Sequence, residues 1–263
     1  MPRFAANLSM LFTEVPFLER FERAAKAGFD AVEVQFPYEA PAEVVRDRLR
    51  AAGQTMVLHN LPPGDWAAGE RGIACHPGRE AEFREGVQRA LHYATTLGVP
   101  RLNCLVGKRL AGVSEAQQHA TLVANLRHAA AELRAAGLTL LTEPLNPFDV
   151  PGFWLDSPSK GFALVDEVGA DNFLVQYDLY HAQRTEGELA GTLQRQAARI
   201  GHLQIADTPG RHEPGTGEIA WDFIFDHLRR IGYSGDIGAE YIPAGRTEDG
   251  LGWLPGARAR LSS

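Results

Sequence analysis

The chain has 263 residues, enough for one large domain, and no linker-like or low-complexity segment divides it. Its 44% hydrophobic and 22% charged residues are typical of a soluble globular protein, so we expect a single domain over residues 1–263. The net charge of −7 argues against nucleic acid as the main partner, because phosphate binding needs a concentrated basic surface.

The cysteine content and the N-terminus indicate the cellular compartment of the protein. Cys75 and Cys104 have neither metal-binding nor redox spacing, which is typical of incidental thiols in a reducing compartment. The N-terminus lacks an apolar signal core, and no apolar run approaches transmembrane length. These features predict a cytoplasmic protein with no membrane partner.

Short apolar runs alternate along the chain with segments of helical spacing, most of them followed by glycine. Strands are predicted at residues 4–10, 31–34, 55–59, 101–105, 138–143, 173–178, 202–206 and 236–240. Helices are predicted at residues 15–27, 41–52, 79–97, 114–136, 158–168, 186–199 and 221–231.

This alternation demands parallel strands joined by crossover helices. The repeated strand–helix unit over a chain of this length predicts a (β/α)₈ TIM barrel, for which roughly 250 residues is typical. A doubly wound sheet is the alternative, and the lack of a Gly-rich phosphate loop after the first strand weakens it.

An unusually long connection, residues 60–78, follows the third predicted strand and is rich in Gly, Pro and Ala. Loops of this length in a compact domain are usually functional, so we expect a lid over the barrel mouth. Trp66 would shield the site, or would instead pack as an anchor within the loop. Glu70 and Arg71 are candidate substrate-binding residues, and Arg71 could contact an anion.

In a TIM barrel the active-site residues come from the carboxyl ends of the strands. The last four predicted strands bring oxygen-bearing side chains to this end: Glu143, Asp178, Gln204 and Glu240. Three converging carboxylates repel one another, and a divalent cation would hold them together. An all-oxygen set suits Mg²⁺ or Mn²⁺ better than Zn²⁺. For any one of these residues, an ordinary solvated side chain is the alternative.

Further polar residues near the strand ends are candidates for substrate binding. His181 follows the sixth strand and could bind a substrate oxygen or cap the next helix. Arg211, after the seventh strand, could bind an anion or be a solvated loop residue. Lys108, after the fourth strand, is a candidate clamp for a carboxylate. His59 ends the third strand and is expected to line the pocket.

The motifs of this chain resemble those of the hydroxypyruvate isomerase family, within the xylose isomerase-like barrels. The resemblance rests on residues 3–10, 59–72, 103–108, 143–146, 177–181, 202–207, 213–219 and 238–241. Only the tail, residues 254–263, shows no constraint of this kind. The N-terminal stretch is shared with 2-oxo-tetronate isomerases, whereas the long loop and residues 105–108 are closer to the hydroxypyruvate branch.

The resemblance implies an isomerase that interconverts hydroxypyruvate and 2-hydroxy-3-oxopropanoate (tartronate semialdehyde), a small anionic acid. It implies that Glu143 and Glu240 form the proton donor and acceptor pair. It also implies that these two residues hold a divalent metal together with Asp178 and Gln204.

Several alternatives stay open beside this interpretation. The chain could be a 2-oxo-tetronate isomerase, a related sugar-acid isomerase or epimerase, or a sugar-acid binding barrel without catalysis. A DNA-processing metalloenzyme would need a basic groove and more histidine ligands. The exposed helices of such a barrel are compatible with a homodimer or homotetramer.

Overall fold

Eight parallel strands form a closed barrel in the computed structural model, which describes residues 2–262. The strands are β1 (Arg3–Asn7), β2 (Ala31–Val34), β3 (Met56–Asn60), β4 (Arg101–Cys104), β5 (Thr139–Thr142), β6 (Phe173–Asp178), β7 (Ile200–Ile205) and β8 (Asp236–Ala239). Each strand pairs with the next one in the chain, and β8 closes the barrel against β1. The predicted TIM barrel is confirmed.

Helices surround the barrel and connect successive strands. They are α1 (Phe17–Lys26), α2 (Ala42–Ala51), α3 (Glu80–Leu97), α4 (Glu115–Ala135), α5 (Pro158–Val168), α6 (Leu179–Gln183), α7 (Leu189–Gln196), α8 (Trp221–Arg230) and α9 (Trp253–Ser262). Ser114 begins α4, and its hydroxyl accepts a hydrogen bond from the backbone N–H of Gln117. Gly98 ends α3 in the left-handed conformation, which glycine adopts at little cost. Within residues 2–262, every helix is too short or too polar to cross a membrane.

The helix predicted at residues 186–199 begins three residues too early, so the prediction is wrong at residues 186–188. Gly187 and Glu188 have φ of 62° and 49°, in the left-handed region, so a continuous right-handed helix cannot run through them. The chain instead forms the short α6 directly after β6, and α7 begins at Leu189. His181 lies inside α6, so it does not cap the later helix.

The tail, which the motifs left without a constraint, belongs to helix α9 as far as Ser262, the last residue that the structure describes, and packs against α8. Leu254, Ala257 and Leu261 are buried, and their spacing places them on one face of the helix. Arg260 on the same helix makes ion pairs with Asp222 and Asp226 of α8. This apolar spacing is visible in the sequence, so a helix could have been predicted there.

The interior of the barrel changes from apolar to polar along its axis. Near the amino ends of the strands it is filled by Ala5, Ala31, Leu58 and Leu141, with Leu174 packed against them. Side chains alternate between the two faces of a strand, so residues two positions further on also point inward. At these positions stand Asn7, Glu33, Glu143 and Gln176, all of them buried. The sequence thus builds a polar layer that supports the barrel mouth.

Candidate active site

A cavity of about 280 Å³ lies at the carboxyl ends of the strands, above the polar layer. The residues predicted for a site that line it are Arg71, Glu143, His181, Arg211 and Glu240. Apolar side chains from four different connecting loops also line it: Met10, Trp66, Leu105, Leu145 and Val150. The cavity therefore combines an apolar wall with carboxylates and guanidinium groups, as expected for a small polar ligand.

Glu143 follows the last residue of β5, and only 4% of its surface is exposed. Its Oε2 accepts a hydrogen bond of 3.1 Å from the side-chain amide of Asn103 on β4. Burial raises the pKa of Glu143 well above its ordinary value, and the nearby charges of Glu240 and Asp178 raise it further. Without a further cation, a proton on Glu143 is therefore favoured.

Asp178 ends β6 and also begins α6. Its Oδ1 accepts a hydrogen bond of 2.9 Å from the backbone N–H of Tyr180, which makes it the N-cap of that helix. Its other oxygen, Oδ2, is buried and has no hydrogen-bond partner. Burial raises the pKa of Asp178 to about 7, although the neighbouring Arg211 opposes this shift. An unpartnered, buried carboxylate oxygen is an unusual feature that indicates a binding function.

His181 presents a hydrogen-bond donor close to the carboxylates of Glu143 and Asp178. Its Nδ1 accepts from the backbone N–H of Asn146 at 3.2 Å and lies 2.7 Å from the side-chain amide nitrogen of that residue. Burial lowers the pKa of His181 well below its ordinary value, which favours the neutral ring. Because Nδ1 accepts from the backbone N–H of Asn146, the proton of the neutral ring is assigned to Nε2. This Nε2 is buried without a partner, 3.9 Å from Glu143 Oε1 and 3.6 Å from Asp178 Oδ2.

Arg211 brings a positive charge into the cavity from the loop that follows β7. Its Nη2 donates to Glu240 Oε2 at 2.7 Å and lies 3.5 Å from Asp178 Oδ2, while its guanidinium stacks over Tyr180. Its backbone is in the left-handed region, with φ of 55°. A non-glycine residue is uncommon there and often belongs to a functional site.

Glu240 has more hydrogen-bond donors around it than Glu143. Besides Arg211, the side-chain amides of Asn7 and Gln35 donate to its Oε1 at 2.8 Å and 3.0 Å. Burial nevertheless raises its pKa above the ordinary value of a glutamate. Two glutamates with different surroundings therefore face one small cavity.

The carboxylate oxygens of this site are suitable ligands for a hard divalent cation. Ligand atoms of Glu143, Asp178 and His181 lie within 4.8 Å of one another. Because Nε2 of His181 carries a proton, we assign the ligand role to the carboxylates and a donor role to the histidine. The unpartnered Asp178 Oδ2 is an oxygen that such an ion would satisfy.

Gln204 of β7 pairs with Asp178 of β6 in the strand register and does not line the cavity. Its Oε1 accepts a hydrogen bond of 2.6 Å from Gln176, and its Nε2 donates to Glu33 at 2.8 Å. The carbonyl oxygen keeps one lone pair, so Gln204 stays a predicted ligand.

His59 does not line the cavity as expected. Its ring packs edge-on against Tyr38, on the side of β3 that faces the helices, and its Nδ1 lies 3.0 Å from the carbonyl oxygen of Asn60. Burial lowers its pKa to about 4. The cavity is lined by Asn60 instead, because successive residues of a strand point to opposite faces.

The other three predicted substrate contacts divide between the cavity wall and the surrounding loops. Glu70 pairs with Arg79 and accepts from the backbone N–H of Asp65 at 2.6 Å, so it fixes the loop 60–78. Lys108 is absent from the cavity wall and forms an isolated bridge with Phe153. Arg71 does line the cavity, with its guanidinium stacked 3.6 Å from the ring centre of Trp66.

Sequence reasoning missed several polar residues that hold the site together: Asn7, Glu33, Gln35, Asn60, Asn103 and Asn146. Glu33 could have been found, since it is a lone charge in the apolar stretch of β2. The amides gave no such signal, because asparagine and glutamine are also common in exposed loops.

The family model described as xylose isomerase-like TIM barrel matches residues 21–256 of this chain. The chain belongs to this family. The hydroxypyruvate isomerase of Escherichia coli (strain K12) is 54% identical over 254 residues, which cover 97% of this chain and 98% of that protein. The 2-oxo-tetronate isomerase of Cupriavidus necator is 50% identical with the same coverage.

Solved structures agree with this assignment. The crystal structure of an AP endonuclease, family 2, from Brucella melitensis superposes with a TM-score of 0.95 at 46% identity, covering 97% of this chain and 99% of that chain. An L-ribulose 3-epimerase superposes with a TM-score of 0.77 at 22% identity, which shows the shared fold. The relatives named as isomerases span nearly the whole of this xylose isomerase-like barrel, so the prediction of an isomerase is confirmed.

Proposed function

We propose that this barrel interconverts hydroxypyruvate and 2-hydroxy-3-oxopropanoate. The observation that carries the proposal is the pair Glu143 and Glu240, which line one small cavity together with the guanidinium of Arg211. Two carboxylates and a cation are the groups that an isomerisation between neighbouring carbons of a hydroxy acid requires. The names of the two curated relatives support the same substrate class.

A 2-oxo-tetronate isomerase is the second candidate, since a relative of that name is 50% identical. The cavity volume of about 280 Å³ suits a small acid of three or four carbons, since it lies just below the range of drug-sized ligand pockets, about 300–1,000 Å³. The substrate carboxylate would meet Arg71 rather than Lys108, since only Arg71 lines the cavity.

The proposed cofactor is Mg²⁺ or Mn²⁺, held by Glu143, Asp178, Gln204 and Glu240. When bound, such an ion acts as a Lewis acid that lowers the cost of removing a proton beside a carbonyl group and stabilises the resulting negative charge. Arg211 already compensates part of the carboxylate charge, and we propose that it turns toward the substrate when the ion is present.

The proton transfer itself falls to the two glutamates. One of them takes a proton from the hydroxymethyl carbon of hydroxypyruvate, which gives an enediolate, and a proton is then delivered to the neighbouring carbon. The hydroxyl proton moves to the former carbonyl oxygen, so that atoms and charge balance. His181 donates its Nε2 proton in a hydrogen bond to a substrate oxygen. The loop 60–78 would close over the cavity and exclude water.

Parallel kinetics on hydroxypyruvate and 2-oxo-tetronate test this proposal, with purified protein, Mg²⁺ or Mn²⁺, and product detection by NMR. We expect the larger kcat/KM for hydroxypyruvate. A larger value for 2-oxo-tetronate would select the second candidate, and no turnover of either would refute both.

Nicking of abasic DNA, run with the same samples, would indicate the DNA-processing class. Light scattering on these samples tests whether the protein forms a homodimer or a homotetramer.

A further inference from the structure

Glu33 is a fourth carboxylate inside the barrel, below the cavity, and none of its surface is exposed. Asn7 Nδ2 and Gln204 Nε2 donate to its Oε1 at 2.9 Å and 2.8 Å. His202 Nε2 lies 2.6 Å from its Oε2. A carboxylate accepts hydrogen bonds only, so Glu33 fixes the orientation of each group that surrounds it.

The consequence is clearest for Gln204. An amide presents NH₂ on one side and an oxygen on the other, and Glu33 can pair only with the NH₂ side. The carbonyl oxygen of Gln204 must therefore point away from Glu33, and its position is held further by the hydrogen bond from Gln176. Glu33 thus leaves an oxygen, rather than an NH₂ group, for the predicted cation.

Asn7 extends this control to Glu240. Its side-chain NH₂ group donates to Glu33 Oε1 and to Glu240 Oε1 at 2.9 Å and 2.8 Å. The amide oxygen of Asn7 accepts from the backbone N–H of Ser9, so the amide cannot turn over without losing this bond. Glu240 is therefore held between Asn7 below and Arg211 beside it.

The barrel also makes room for Glu33 at one backbone position. A Cβ atom on Gly238 of β8 would lie 2.3 Å from Glu33 Oε2 and 2.5 Å from Oε1. Real Cβ atoms do not approach oxygen so closely, so any larger residue at this position would displace the carboxylate. Gly238 does not have a positive φ, which means that the space, and not the backbone conformation, is what the glycine provides.

We propose that Glu33 is a positioning residue, which orients the oxygen of Gln204 and, through Asn7, the carboxylate of Glu240 toward the cavity. This inference rests on the proposed function, because the oriented groups are the proposed ligands of the divalent cation. Such supporting contacts typically contribute about 10–100-fold in metal affinity.

Calorimetric titration of Mn²⁺ into metal-free, full-length protein tests the proposal without measuring turnover. In Glu33→Gln, one of the two acceptor oxygens becomes an NH₂ group, so the orientation of the Gln204 amide is no longer fixed by a group that only accepts hydrogen bonds. We expect the Kd for Mn²⁺ to rise about 10–100-fold. The matched control is Asp236→Asn, another buried carboxylate changed to an amide, whose partners Arg3 and Arg101 lie at the amino end of the barrel. Its Kd should stay within about twofold of native.

Two further variants separate orientation from loss of structure. Glu33→Gln with Gln204→Glu exchanges the two groups and restores the hydrogen bond, so Mn²⁺ affinity should recover above that of Gln204→Glu alone, which carries the same ligand charge at position 204. Gly238→Ala displaces Glu33 without changing any charge and should weaken Mn²⁺ binding even if Glu33→Gln fails to fold.

Native affinity in Glu33→Gln or Gly238→Ala, or no recovery in the exchanged pair, would overturn the role of Glu33. Turnover of hydroxypyruvate by the native protein, measured on the same sample, decides the proposed function separately. Native protein that turns over substrate but binds no Mn²⁺ would overturn this inference while leaving the isomerase standing.

Discussion

The two ends of this barrel both bury carboxylates, but they treat the charge in opposite ways. At the amino end, Arg3 and Arg101 each donate to Asp236 at 2.8 Å. Burial acts to raise the pKa of Asp236, yet the two arginines outweigh it and the pKa lies below its ordinary value. At the carboxyl end, Glu143, Asp178 and Glu240 share Arg211, and all three pKa values are raised.

This difference separates a carboxylate that stabilises the fold from the carboxylates that we propose to be functional. Asp236 is fully paired, so its charge contributes to the stability of the fold. The three carboxylates at the barrel mouth repel one another unless one of them is protonated or a further cation binds. The structure keeps this unfavourable arrangement of charges at its cavity. Perturbed pKa values of this kind are concentrated at functional sites. The comparison can be tested by changing one end at a time.

Metal removal should have the largest effect on activity. Protein treated exhaustively with EDTA should lose hydroxypyruvate turnover down to the uncatalysed background, because the charge of the enediolate then lacks its main stabilisation. Added Mg²⁺ or Mn²⁺ should restore it. Full activity after EDTA treatment would show that no metal is essential and would leave the glutamate pair as the proposed catalytic groups.

Glu143→Gln and Glu240→Gln should each lower kcat by about 10²–10⁴-fold, since a glutamine cannot transfer a proton. Steady-state kinetics on hydroxypyruvate measure this, and circular dichroism checks that the fold is intact. Near-native turnover in either variant would show that the replaced glutamate does not take part in proton transfer.

Asp236→Asn should have the converse effect, on stability rather than activity. Losing the charge between two arginines should lower the free energy of unfolding by about 1–3 kcal/mol, a modest figure because Arg3 is 48% exposed. Urea denaturation measures this, while kcat should stay within about twofold of native. A large loss of activity with unchanged stability would contradict the division between the two ends.

The pH dependence of the stability of metal-free protein should report the raised pKa of Asp178 at the barrel mouth. Asp178 has a pKa of about 7 in the folded protein and a lower one in the unfolded chain, so between these values the folded state binds more protons. Its contribution therefore makes stability fall as the pH rises toward about 7. Melting temperatures in EDTA should show this slope, and Asp178→Asn should reduce it. An equal slope in that variant would place the titration elsewhere.

The sequence predicted the barrel and the residues at its strand ends because both depend on local pattern. Helices ended by glycine and short apolar strands set the fold, and a carboxylate at the end of a strand is visible as such. The partners could not be predicted, because Glu33 meets His202 and Gln204 only through the stagger of distant strands. His59 was misplaced since a shift of one residue along a strand turns a side chain to the other face.

The most direct test of the central claim is NMR of hydroxypyruvate in D₂O with native protein and Mn²⁺ or Mg²⁺, the metal being chelated before the spectra. Proton transfer between Glu143, Glu240 and the substrate predicts formation of 2-hydroxy-3-oxopropanoate with deuterium entering at the exchanging carbons. Isomerisation should be about 10²–10⁴-fold slower in Glu143→Gln and in Glu240→Gln. The absence of both isomerisation and exchange with the native protein and metal would contradict the account.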